Sequence, residues 1–266
     1  MINLVLLKKE IKSNYKILFI FMAILTLYSS MIVSMFDPKL GESLKMMSES
    51  MSGIFSAFNM SNPGTSLIEF ICNYLYGFLF IAFPLVFIGI LTNRLIVKYT
   101  DKGSLSYILS TPNSRFKIIF SWLFVMIFML LILVIYISSL IIILSQVMFN
   151  GELDIPKFLL VNCGVFGLWI FILGICFLTS CIFNDSRYAL SVGIGLNVLF
   201  LLIQMISGVG EKFSYLKYLT PLTLFDTTKI IEGNILGVLF AIILYVIGIL
   251  LFCIGIKVFC KKDLSI

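Results

Sequence analysis

Apolar residues gather in six long runs, and most polar and charged residues fall between them. The runs are Ile17 to Phe36, Leu67 to Leu91, Ile118 to Phe149, Phe158 to Phe183, Tyr188 to Ile206 and Ile235 to Phe259. Each is about 19 residues or longer, the length an α-helix needs to cross a hydrocarbon layer of roughly 30 Å. All six are predicted helices, because a bilayer offers backbone N–H and C=O groups no partner outside their own segment. The third run, at about 1.5 Å per residue, is longer than the layer is thick and predicts tilt or protrusion. Pro84 predicts a kink in the second. The expected fold is all-α and polytopic, with one membrane domain over residues 1–266.

Two shorter patterns lie on what the alternation of spans makes one side of the membrane. Leu40, Leu44, Met47, Met51, Phe55 and Phe58 recur in steps of three and four, with Glu42, Lys45 and Glu49 between them. The stripe predicts an amphipathic helix, either resting on the leaflet or on the spans, or acting as a Met- and Phe-rich lid over an exit path. Ser207 to Asn234 is too apolar for a free loop and too broken, at Thr220-Pro221, for a seventh span. Two short helices dipping into the outer leaflet, or an ordinary surface loop, are the readings it allows.

Composition agrees: 61% of residues are hydrophobic, 12% are charged and the mean hydropathy is +1.13. The chain has no His, which removes His-dependent triads and the H-E-x-x-H zinc site, so no catalysis and no metal are expected in it. No nucleic-acid partner is expected. The six Cys sit in or beside apolar runs without C-x-x-C spacing and read as membrane packing. Lys8, Lys9, Lys12 and Lys16 precede the first run as in a secretory signal, but the run is long enough to span and lacks a small-residue cleavage site, so an uncleaved anchor is expected. Segments on the side of both termini hold 13 Lys and Arg against 4 Asp and Glu, and the other side 6 against 9. The positive-inside rule then places both termini and the loop containing Lys102 in the cytoplasm.

That loop, Tyr99 to Lys117, is a polar, basic stretch in an oily chain. Gly103 permits a turn, Ser104 can cap a short helix, and Ser110 to Pro112 should end it. An ordinary cytoplasmic loop is equally consistent with these residues alone. The run Asp101-Lys-Gly-Ser-Leu-Ser-Tyr-Ile-Leu-Ser-Thr-Pro-Asn-Ser-Arg-Phe-Lys-Ile118 resembles the coupling helix that membrane subunits of type 2 ABC exporters dock on a separate ATPase. Leu4 to Lys16 resembles the family's amphipathic elbow helix, the six-span order matches, and Tyr215 to Asp226 resembles its re-entrant outer helices.

The resemblance implies a permease subunit driven by two copies of a separate ATPase that binds the ATP and Mg, and no cofactor in this chain. Its ATPase-coupling residues would be Asp101, Lys102, Gly103, Leu105, Tyr107, Leu109, Pro112 and Arg115, with Lys8, Lys9 and Lys12 on the elbow. The chain has no G-x-x-x-x-G-K-[S/T] loop to cradle phosphates, in keeping with an ATPase on another polypeptide. Within the family it is most similar to bacterial plasma-membrane permeases that export, or give immunity to, membrane-active peptides of the bacteriocin and phenol-soluble-modulin types. A lipid, a lipid-linked glycan or a drug are alternative cargoes. A second permease subunit, in a homodimer with the first and fifth spans at the seam, is also implied.

Ser29, Ser30, Ser34, Asn73, Tyr76, Asn197 and Gln204 are the polar residues in the spans that can line a path or the seam, though isolated polar residues there also bond neighbouring helices. Small residues four apart, Ala189 with Gly193, Ser191 with Gly195 and Gly233 with Gly237, allow close helix approach. Glu69 is expected to be the only acid near a span, at its wet end, which argues against a proton-coupled carrier. A non-transporting scaffold or sensor whose basic loop binds a cytoplasmic regulator is the alternative of another class.

Overall fold

The computed structural model describes residues 3–37, 46, 50–58, 64, 66–101, 114–209 and 211–262. Among them every regular element is helical. Six helices are long and apolar enough to cross a membrane, as the apolar runs predict.

Helix α1 runs Leu4–Ser34, α2 is the short Ser52–Ala57, and α3 is Leu67–Ile71, continued by a π-helical turn Cys72–Tyr76. Helix α4, Leu79–Thr92, passes through a second π turn, Asn93–Val97, to a last α-turn, Lys98–Asp101. Then come α5 (Arg115–Met148), α6 (Ile155–Ile182) and α7 (Ser186–Gly208). Two 3-10 helices (Glu211–Leu219, Pro221–Leu224), α8 (Thr227–Ile231) and α9 (Ile235–Lys261) complete the chain. Local chemistry starts most of them. The side chains of Asn3, Ser114, Asp154, Asp185 and Asn234 each accept from backbone N–H groups of the following turn, and Ser66 with Glu69 forms a capping box.

Helix α6 is the axis of the bundle: 78% of its most apolar stretch is buried, against 22% for α7 and 28% for α1 and α9. Its closest partner is α9, which lies along it. A Cβ at Gly174 would stand 3.2 Å from the Gly248 carbonyl oxygen, and one at Gly248 only 3.0 Å from that of Ile170. The absence of side chains at these two facing positions lets the backbones approach, the usual basis of tight helix contact where lipid supplies no hydrophobic drive. Of the three small-residue pairs, Gly193 faces α6 at Cys176 and Thr179 with Ala189 buried on the same helix, Gly237 abuts the backbone of α8, and Ser191 with Gly195 is exposed.

Three features depart from the hydropathy pattern. The basic turns from Leu4 and the first span form one unbroken helix rather than an elbow followed by a span, because no Gly or Pro interrupts Leu4 to Ser34. The second span is interrupted at Gly77–Phe78, ahead of Pro84. Proline lacks the N–H that the Phe80 carbonyl would accept four residues earlier, and the indole N–H of Trp169 on α6 donates to that carbonyl at 2.6 Å instead. The third departure is Glu10, which is only 2% exposed, so Glu69 is not the only acid at a span.

Replacing Trp169 with Phe removes the bond to Phe80 and leaves a buried carbonyl, and should cost about 1–3 kcal/mol of stability. The same change at Trp122, whose indole nitrogen has no hydrogen-bond partner among the described residues, should cost less. Thermal unfolding of the two variants in detergent compares them directly.

Candidate functional site

The ends of all six spans that share a side with the termini are tied together around the two flanks of residues 102–113. On the near flank, Asp101 accepts a hydrogen bond from the Ser186 hydroxyl at the start of α7, at 3.0 Å. On the far flank, Arg115 donates to the carbonyls of Lys262, at 2.7 Å, and Cys260, at 3.5 Å, at the end of α9. The Lys262 ammonium in turn donates to the Cys181 carbonyl at the end of α6, at 3.1 Å, and burial pulls its pKa below the ordinary lysine value. The last carbonyls of two helices thus gain cationic donors, the partners that helix C-termini favour.

Behind these flanks stands a column of side chains. The Tyr99 hydroxyl donates to Glu10 Oε1 at 3.0 Å, and its ring stacks on Trp122 with centroids 5.2 Å apart and planes 9° from parallel. Trp122 meets Phe259 edge-on at 6.3 Å. The backbone N–H of Asn3 donates to Ser121 Oγ at 3.1 Å, pinning the first turn of α1 to α5. Glu10 is thereby an acid between α1 and α4, under the charges of Lys9, Arg94 and Lys98. Every buried charge needs such partners to be tolerated away from water.

Of the residues expected to meet an ATPase, Asp101 and Arg115 are the two flanks just described. Lys102, Gly103, Leu105, Tyr107, Leu109 and Pro112 lie outside the described residues. Lys8, Lys9 and Lys12 are exposed on α1, on the face away from Glu10 and Asn14. Glu10 escaped the sequence reading because it sits among four lysines, yet its signal is present: Leu7, Glu10, Asn14, Leu18, Phe21 and Leu25 recur at helical spacing, and from Glu10 onward all are buried.

The candidate path residues divide. Tyr76 is buried and donates to Asn162 Oδ1 on α6 at 2.7 Å, so it joins helices rather than lining a path. Asn197 donates within α7 to the Gly193 carbonyl at 2.8 Å and reaches across to Cys176 Sγ on α6 at 3.6 Å. Ser29 is buried, while Ser30 and Ser34 bond the carbonyls of Leu27 and Met31 on an exposed face of α1 beside Met31 and Met35. Asn73 and Gln204 do come together, on one cavity at the opposite end of the bundle. The Met- and Phe-rich stripe is described only in part: α2 lies against the end of α7, where a Cβ at Gly208 would collide with the Ser56 carbonyl, and Phe58 packs edge-on against Phe78. Leu40, Leu44 and Met47 fall outside the described residues.

Tyr99→Phe strips a buried carboxylate of a hydrogen bond and should destabilise the protein by about 1–3 kcal/mol. With Glu10→Gln also present the loss should be smaller than the sum of the two single changes, because they act on one contact; a double-mutant cycle of unfolding midpoints measures it. No protein-family model, curated protein or solved structure matches this chain, so its own residues carry the functional reading.

Proposed function

We propose that this chain is the membrane subunit of an ATP-driven exporter of the type 2 ABC kind. In this reading residues 102–113 dock on a separate ATPase, present in two copies that bind the ATP and Mg, and the exposed lysines of α1 meet the same partner. The observation that carries it is the pair of flanks: Asp101 and Arg115 are each hydrogen-bonded to a different span, so a push on the segment between them is delivered to α7 and α9 together. The column from Glu10 through Tyr99 and Trp122 to Phe259 adds α1 and α5 to the elements that receive it.

Both termini lie in the cytoplasm of a bacterial cell in this proposal, in keeping with the basic balance of that side. The 3-10 helices and α8 take the place of the re-entrant outer helices. Two copies of the chain meet through α1 and α7, whose outward faces carry exposed Leu27, Met31, Leu199 and Leu202. The cargo is an amphipathic, membrane-active peptide, moved for secretion or self-protection. The same architecture serves a lipid, a lipid-linked glycan or a drug.

Replacing Leu105, Tyr107 and Leu109 together with Asp should leave membrane insertion intact and lower ATP-dependent export of a labelled amphipathic peptide by about tenfold or more, as loss of an apolar interface core does. Normal assembly and export by that variant would sink the assignment. Export that persists without ATP and collapses with the proton gradient would instead turn the buried Glu10 into evidence for a carrier.

A further inference from the structure

At the end of the bundle opposite the termini is a cavity of about 620 Å³. Asn73, Gln204, Lys217, Asp226, Lys229 and Phe240 line it, drawn from five separate stretches of the chain. Its charges are unequal. Asp226 is paired with Lys229 at 2.8 Å; burial raises its pKa, but hydrogen bonds from Lys229 and Thr228 outweigh this and hold the carboxyl below its ordinary value. Lys229 also lies over the Phe240 ring at 5.6 Å. Lys217 has no carboxylate partner among the described residues and lies over the ring of its neighbour Tyr218 at 5.2 Å. The cavity therefore carries a surplus positive charge at Lys217.

The side-chain oxygen of Gln204 is buried and has no hydrogen-bond partner among the described residues. A buried amide oxygen left without a donor costs free energy, so a ligand with an O–H or N–H is favoured there. The surroundings give the depth. Tyr215 and Tyr218 are exposed beside Lys217, the aromatic and cationic mixture that settles at the headgroup level of a bilayer. Beside Phe240, α9 exposes Leu236 and Leu239, an apolar surface suited to acyl chains.

We propose that this cavity binds the headgroup of an anionic phospholipid, with the phosphate at Lys217, a headgroup hydroxyl donating to Gln204 and the acyl chains along the exposed face of α9. Phosphatidylglycerol has both required groups. Phosphatidylmethanol keeps the single negative charge but lacks the hydroxyl, and phosphatidylcholine has no net charge. The site stands apart from the exporter reading and holds whether or not the chain moves a cargo.

The test is a titration of the full chain, purified in an uncharged detergent, with each lipid, read by native mass spectrometry as saturable occupancy. Phosphatidylglycerol should bind more tightly than phosphatidylcholine. Lys217→Ala should weaken it about fivefold, as removal of one lysine from an anionic surface does, and Lys217→Arg should restore it. Gln204→Leu should weaken phosphatidylglycerol by roughly threefold, the worth of one neutral hydrogen bond, and leave phosphatidylmethanol unchanged. Lys157→Ala serves as the control, since Lys157 pairs with Asp154 at 3.6 Å away from the cavity. Unchanged thermal midpoints for the variants separate lost binding from lost folding. Equal binding of phosphatidylglycerol and phosphatidylcholine, or no effect of Lys217→Ala, would overturn the proposal. Displacement of the lipid by glycerol phosphate at equal concentration would overturn the lipid assignment in favour of a soluble anion.

Discussion

The contact between α6 and α9 is the one on which the rest of the bundle depends. In lipid, helices gain little by hiding apolar side chains from one another, so close backbone approach and interhelical hydrogen bonds must supply the cohesion. Gly174 and Gly248 provide that approach at mid-height. On either side of it, the Tyr245 hydroxyl of α9 donates to the Cys163 carbonyl of α6 at 2.7 Å, and Phe177 of α6 meets Phe252 edge-on at 5.7 Å. With this pair fixed, α6 offers its remaining sides to α4, α5 and α7, and the outer helices are left with broad lipid-facing surfaces.

The second span shows how the same environment disciplines an irregular backbone. A break at Gly77–Phe78, two π turns and Pro84 all fall between Cys72 and Val97, a concentration of irregularity that soluble helices rarely carry. It is tolerated because the segment is covered by protein: Trp169 answers the Phe80 carbonyl and Tyr76 reaches Asn162, both on α6. The irregular turns also aim functional groups. The first π turn places Asn73 on the cavity, and the second lies just before Tyr99 and Asp101.

The spans were legible because hydropathy over twenty residues sums many small transfer energies of one sign. The ends of α5, α6, α7 and α9, each begun by an Asn, Ser or Asp cap, fall within a few residues of the apolar runs. What hydropathy does not contain is azimuth, the direction in which a single polar residue points. Tyr76 and Asn73 lie three residues apart in the same turn, yet one is spent on a neighbouring helix and the other faces a cavity. Glu10 was hidden for a related reason: a charge in a basic cluster looks solvated until Tyr99, 89 positions later, is seen to cover it. The cavity itself is assembled from separate stretches and has no local pattern to read.

The unbroken first helix has a mechanical corollary. A regular helix of 31 residues is a rod of about 46 Å, and it bends sharply only where a Pro, a Gly pair or a wedge interrupts its ladder. Nothing between Leu4 and Ser34 does so, and a displacement imposed at Glu10 has no hinge in which to dissipate before the rod's far end. There Phe36 sits between Phe70, at 5.5 Å, and Phe149, at 5.3 Å. Phe70 lies one residue before the end of α3 and three before Asn73, which lines the cavity. The two ends of the molecule are thus spanned by one uninterrupted rod, with Glu10 near its first turns and the Phe36–Phe70 contact just past its last.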